Sequence, residues 1–174
     1  SRRVVLVGWS LGVLESLLYI HTHGDAKIAT LVLVDNSVGE EPPQQGGATI
    51  PARVPWDRET EMADLVRAIF KSPQSPEYLA GLTAKAMRTP HETGRSLLAI
   101  PYPRTFWRSA VYKTRKPLLY AVTAGLKGQA ENLRSKRKGT TIEVFADAGH
   151  ALFVDEHERF NSLLDAFLDR TLRH

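Results

Sequence analysis

Val4-Val5-Leu6-Val7-Gly8-Trp9-Ser10-Leu11-Gly12 is the stretch from which the rest of the chain can be read. The apolar run Val4 to Val7 reads as a strand buried on both faces, as in a parallel sheet. Leu11, Leu14, Leu17 and Leu18 then recur on one face of a helix. At the junction of the two, Gly8-Trp9-Ser10-Leu11-Gly12 fits G-x-S-x-G. A nucleophile on so tight a turn needs glycine two residues before it and two after, because side chains there would collide. The turn lifts the Ser10 hydroxyl clear of the sheet. It also aims the Leu11 N–H, at the start of a helix, towards a developing oxyanion. A plain strand-to-helix turn, or one that binds phosphate, would share this outline.

Outward from the turn, Ile28 to Val34 reads as a second buried strand that ends at Asp35. Residues 117–122 and 141–145 are two more strand candidates, with Leu126, Ala130 and Leu133 forming an amphipathic helix between them. Phe160, Leu163, Leu164, Phe167, Leu168 and Leu172 repeat at helical spacing, and Asp155 with Glu158 resembles a capping box at the start of that last helix. Alternating strands and helices imply an α/β class with a mostly parallel sheet. Residues 1–35 and 117–174 form its core. Residues 36–116 form an insertion: an irregular Pro- and Gly-containing stretch through Pro55, then helical patterns over 59–71, 76–87 and 90–100. Helices inserted there would lie as a cap over the carboxyl edge of the sheet, where open α/β sheets bind ligands.

Composition narrows the function classes. The 174 residues are 43% hydrophobic and 24% charged, which suits one globular domain and argues against disorder. There is no Cys, so disulfides, thiolate nucleophiles and Cys-based zinc sites are excluded. His21-Thr22-His23 is the one close His pair and has no third ligand nearby, so no metal is expected. No dinucleotide or phosphate-loop fingerprint is present, and no cofactor is expected. No apolar stretch approaches the roughly 20 residues that a membrane-spanning helix needs. The net charge of +4 has its densest cluster at Arg134, Lys136, Arg137 and Lys138. That run reads as the end of a solvent-facing helix and not as a nucleic-acid surface, since no aromatic platform lies beside it. A cytoplasmic location is the default.

A serine nucleophile needs a general base. His21 and His23 end the helix that begins after Ser10, about 15 Å or more away. His91 lies in the insertion, His157 in the first turn of the last helix, and His174 at the terminus. His150 differs: Asp147-Ala148-Gly149-His150 follows a buried strand and precedes the last helix, on the edge of the sheet that carries Ser10. A loop histidine with a structural role is the alternative.

Gly8-Trp9-Ser10-Leu11-Gly12, followed by Ala148-Gly149-His150-Ala151-Leu152-Phe153, resembles the α/β-hydrolase superfamily. The stretch from Asp155 through Arg159-Phe160-Asn161 and Phe167-Leu168 is similar to the final helix of its esterase and haloperoxidase-like members. The resemblance implies that Ser10 attacks an ester carbonyl and that His150 takes and returns its proton. Serine at the elbow argues against the dehalogenases and epoxide hydrolases of this fold, which use aspartate there. The family usually places the triad acid after the strand that follows the cap, yet the loop 123–130 holds no carboxylate before Glu131, which falls inside a helix. Some members carry the acid at the end of the strand before the cap, and Asp35 matches that position. An Asp35 that only caps a turn is the alternative, with Glu40 and Asp147 as weaker candidates.

The resemblance also implies about four strands before the elbow and a second oxyanion donor among them, neither of which precedes Ser1. An exposed apolar edge at Val4 to Val7 is therefore expected to pair, in a homo-oligomer or with a missing N-terminal segment. Trp9, Trp56, Trp107 and Phe153 are candidates to line an apolar acyl pocket, although each could equally be core packing. The leading expectation is a serine hydrolase of small carboxylic esters working through an acyl-enzyme. A catalytically weak or inactive hydrolase-fold protein that binds a ligand or protein partner is the alternative.

Overall fold

In the computed structural model, which describes residues 3–43 and 57–172, four parallel strands pair in chain order. They are β1 (Val4–Trp9), β2 (Ile28–Val34), β3 (Leu118–Thr123) and β4 (Thr140–Phe145). Helix α1 (Leu11–His23) joins β1 to β2. Between β2 and β3 lie α2 (Arg58–Ala68), α3 (Pro76–Met87), α4 (His91–Leu98) and α5 (Arg104–Lys113). A 3-10 turn (Ala124–Leu126) and α6 (Lys127–Lys136) lead into β4, and α7 (Leu152–Asp155) and α8 (His157–Leu172) follow it. The molecule is thus an α/β fold with a parallel sheet and flanking helices.

The period-two alternation of strand side chains divides the core into two layers. Leu31 and Leu33 of β2, with Leu118, Tyr120 and Val122 of β3, face α1, α5 and α6 through Val13, Leu17, Ile20, Ala110, Val111, Ala130 and Leu133. Val32, Val34, Leu119 and Ala121 face the other way, onto Phe145, Leu152, Phe160 and Phe167. Both layers are dry enough that truncating one of these leucines to alanine would cost about 2–5 kcal/mol. Because all the strands are parallel and in register, Trp9, Val34 and Ala121 lie side by side at one edge. Ser10 and Asp35 follow Trp9 and Val34 directly, and Thr123 lies two residues after Ala121.

Several elements differ from expectation, each for a physical reason. β1 is an edge strand among the described residues, so Val4 and Val7 are 53% and 52% exposed instead of buried on both faces. The buried stripe of α1 is Val13, Ser16, Leu17 and Ile20, while Leu11, Leu14 and Leu18 are half-buried on its flank. α5 is not anticipated by the sequence reading; Trp107, Ala110 and Val111 tie it into the core beside α1. The expected capping box at Asp155 and Glu158 does not form, because the Asp155 carboxylate accepts instead from the N–H groups of Lys71, Ser72 and Gly149.

The basic run is not one solvated face either. Arg137 is buried and donates to the carbonyls of Val111, Thr114 and Lys116 and to the Thr140 hydroxyl. Lys136 reaches the buried carboxylate of Glu40 at 3.5 Å. Among the described residues no helix is long and apolar enough to cross a membrane.

Candidate active site

Ser10 sits where β1 stops and α1 starts, with φ 54° and ψ −122°. A positive φ on a residue with a Cβ stores backbone strain, so the surroundings must hold it in place. Its N–H donates to the Val34 carbonyl at 3.0 Å, and its own carbonyl accepts from Val13 N at 3.0 Å and Asn36 Nδ2 at 2.8 Å. A Cβ added at Gly8 would lie 2.2 Å from the Gly12 carbonyl oxygen and 2.6 Å from Ser16 Oγ, so glycine is required there. A Cβ at Gly12 meets nothing within 4 Å, so the second glycine of the motif is not sterically required by the described residues. α1 has no side-chain cap, so among the described residues no side chain satisfies the Leu11 N–H at its start.

Asp35 follows β2, also with positive φ, 48°, and is only 6% exposed. Its Oδ1 accepts twice from one residue, from Thr123 N at 2.7 Å and Thr123 Oγ1 at 2.8 Å. That fixes the carboxylate plane and turns Oδ2 to His150 Nδ1 at 2.7 Å. An ionised carboxylate only accepts, so Nδ1–H is the donor, and in a neutral imidazole Nε2 then keeps its lone pair. This is the tautomer a general base requires. The His150 side chain is 34% exposed. Below the carboxylate, Tyr120 donates to the Asn36 carbonyl at 2.8 Å. Burial, reinforced by the nearby Asp35 charge, pushes the Tyr120 hydroxyl well above its ordinary pKa and keeps it a donor.

The His150 backbone is held too. Trp9 Nε1 donates to the His150 carbonyl at 2.9 Å, and the two rings are 5.3 Å apart. Phe153 meets the Trp9 ring edge-on at 5.1 Å. Trp9 therefore stands against His150, and Phe153 packs against Trp9. Trp107 instead lines a cavity of about 210 Å³ with Leu11, Leu14, Leu18 and Ile100. A second cavity of about 390 Å³ also touches Leu11 and is walled by Met62, Leu65, Leu97 and Leu98. A larger one, about 690 Å³, lies between α2 and α3 and is lined by none of Ser10, Asp35 and His150. Trp56 and His174 lie outside the described residues.

The remaining candidates are placed elsewhere. Glu40 is fully buried and engaged by Tyr112, Asn132 and Lys136. Burial opposes its ionisation, but these donors and the Glu41 N–H outweigh it and hold the carboxyl below its usual range. Asp147 is 95% exposed beside Lys71. Glu131 lies within α6 and pairs with Lys127 at 3.9 Å. His21 stacks near Phe106, His23 near Tyr19, His91 lies 3.4 Å from Glu92, and His157 is exposed. Among the described residues no three His, Asp or Glu side chains gather as a metal site. The sequence reading misses Thr123, Asn36, Tyr120 and Asp155. Thr123 and Asn36 share one signal, a polar group at or beside the carboxyl end of a buried strand, whereas Tyr120 lies within β3.

A model of the alpha/beta hydrolase family matches residues 1–163. Among solved structures, the chain resembles a proposed aryl esterase from Burkholderia cenocepacia with 27% identity and a TM-score of 0.82, over 99% of this chain and 66% of that one. An esterase from Exiguobacterium antarcticum matches 97% of this chain with 67% of its own length, at 19% identity and TM-score 0.75. A bromoperoxidase from Bacillus anthracis matches 97% of this chain with 68% of its own length, at 20% identity and TM-score 0.75. The chain thus spans about two thirds of the length of each. No curated protein matches the sequence.

Proposed function

We propose that this chain, which belongs to the alpha/beta hydrolase family, is a serine hydrolase that cleaves carboxylic esters through an acyl-enzyme. The observation that carries the reading is the 2.7 Å contact of Asp35 Oδ2 with His150 Nδ1, made while Oδ1 is locked by Thr123. A carboxylate so placed orients the imidazole and stabilises the imidazolium that forms during turnover. Ser10 Oγ attacks the carbonyl carbon as His150 Nε2 takes its proton. The oxyanion that results lies at the Leu11 N–H, beside the positive end of α1. The tetrahedral species collapses, the His150 proton passes to the leaving alkoxide, and water repeats the sequence on the acyl-enzyme. In this reading the hydrogen bond from Ser10 Oγ to His150 Nε2 forms with substrate present.

Residues 36–116 serve as a cap in this reading. The two mostly apolar cavities at Leu11 suit an acyl or alcohol group with an apolar body, and Arg58, Glu61 and Arg95 also line the larger one. Val4 and Val7, half-exposed on β1, support pairing along that edge with a second chain or a preceding segment. A single light-scattering peak at the monomer mass would overturn the second-chain form.

The test is hydrolysis of a p-nitrophenyl ester series by the chain and by Ser10→Ala and Asp35→Asn. The reading expects turnover that both substitutions remove. Turnover no higher than that of Ser10→Ala would replace it with a hydrolase-fold protein that binds a ligand without cleaving it.

A further inference from the structure

Asp155 receives three backbone N–H groups from two separate segments. Its Oδ2 accepts from Gly149 N at 2.7 Å and Lys71 N at 2.8 Å, and its Oδ1 from Ser72 N at 3.0 Å. Gly149 immediately precedes His150, whereas Lys71 and Ser72 lie in the connector between α2 and α3. Two further observations join the same segments. Ala151 N donates to the Ile69 carbonyl at 2.8 Å. A Cβ at Gly149 would lie 2.7 Å from both Ile69 O and Lys71 N, so the two backbones touch. Burial alone would disfavour the charged carboxylate, but the N–H groups of Lys71, Gly149 and Ser72 together hold Asp155 below its ordinary pKa.

We propose that Asp155 is a positioning residue for His150, clamping the His150 loop to the α2–α3 connector so that the imidazole meets Asp35 and Ser10 at working distance; the role in turnover rests on the serine-hydrolase reading. The geometry gives the His150 backbone a fixing point on each side. Asp155 holds the Gly149 N–H before it, Trp9 holds its carbonyl, and Ile69 holds the Ala151 N–H after it. Asp35 then needs to restrain only the ring. The clamp also makes the connector between α2 and α3 part of the machinery, although no side chain of it reaches the reacting atoms.

Asparagine at 155 cannot replace the carboxylate. Its single oxygen can face either the Gly149 and Lys71 donors or the Ser72 donor, and its NH2 then opposes an N–H. The test measures kcat and KM for p-nitrophenyl acetate and butyrate in the parent chain, Ser10→Ala, Asp155→Asn, Asp155→Glu and Gly149→Ala, with thermal unfolding of each. In the Ser10→Ala background, the downfield proton resonance of His150 Nδ1–H reads the Asp35 contact without turnover. Asp155→Asn is expected to lower kcat about 10–100-fold with little change in KM, as for a group displaced by a fraction of an ångström to one ångström. Asp155→Glu recovers part of the loss, and Gly149→Ala reproduces it by forcing the same two segments apart. The Nδ1–H resonance shifts or broadens in Asp155→Asn. A variant that is less stable yet keeps both its kcat and the parent resonance would overturn the proposal and leave Asp155 a structural clamp alone. Equal hydrolysis by the parent and Ser10→Ala would instead sink the functional reading, and the resonance would still decide the positioning of His150.

Discussion

The ends of the strands and the first three helices between β2 and β3, α2 to α4, are packed very differently. Nearly every side chain of β2 and β3 is fully buried, and Ser10, Asp35 and Thr123 leave the ends of these strands and of β1 with their backbones already bonded. By contrast, α2 and α3 bury one residue each, Val66 and Thr83, and α4 buries none. In the proposed reading, the proton-transfer side of the site is thus set by these buried strand ends, and the substrate-facing side by the loosely packed α2, α3 and α4. Substitutions should divide accordingly. Those at the sheet edge act on kcat, and those in the inserted helices act on KM and on the choice of acyl group.

The sharpest way to break this division is at Asp35. Asp35→Asn removes the charge that holds Nδ1–H and is expected to lower kcat about 10⁴-fold, with KM little changed. A loss smaller than tenfold in steady-state kinetics would show that the rigid edge does not set the chemistry. Next in size is Arg137→Met, which strips the carbonyls of Val111, Thr114 and Lys116, the first two buried, of their donor. It should lower the unfolding free energy by about 3 kcal/mol in urea, since each orphaned carbonyl carries its own penalty. If the loss is below about 0.5 kcal/mol, the dense half is less tightly determined than described.

On the loose side, Leu97→Ala enlarges the cavity of about 390 Å³ beside Leu11. Leu97 is already 52% exposed, so stability should change by less than about 1 kcal/mol. KM for butyl and hexyl acyl esters should rise about tenfold relative to acetyl, as expected when methylene contacts are lost. A uniform fall in kcat across the series would erase the division. The smallest effect is with pH. Burial works against ionisation of Asp25, Glu40 and Asp155, yet their hydrogen-bond donors hold all three below their ordinary values of 3.8, 4.5 and 3.8. A depressed folded-state pKa stabilises the fold fully above the ordinary value and loses that contribution as pH falls through the lowered one. Unfolding free energy should therefore stay level from neutral pH to about pH 5 and decline below pH 4. Asp155→Asn should flatten part of that decline.

How much was legible follows from the range over which each signal acts. Local signals sufficed for the four strands, the serine turn and the final helix, because burial on a parallel sheet leaves continuous apolar runs in the sequence. The pairing of Asp35 with His150, at the edge where Ser10 follows β1, was expected from parallel topology together with the family resemblance. The partners of Asp35 were not legible, since Thr123 lies 88 residues away and looks like any strand-ending threonine. Asp155 was misread because its spacing to Glu158 imitates a capping box, while its real donors, Lys71 and Ser72, lie more than 80 residues back. Arg137 was misread for a similar reason: among charged neighbours it resembles surface, and only the docking of α5 reveals the carbonyls it serves.

The central claim is that Ser10 carries an acyl group during turnover. Rapid mixing of the chain with p-nitrophenyl acetate, quenched in acid and followed by intact and peptide mass spectrometry, addresses it directly. The account expects a burst of p-nitrophenolate close to one per active chain, with a single acetyl group on the peptide that contains Ser10 and none in Ser10→Ala. Steady turnover with no burst, and with no acetyl group on Ser10 at any quench time, would contradict it.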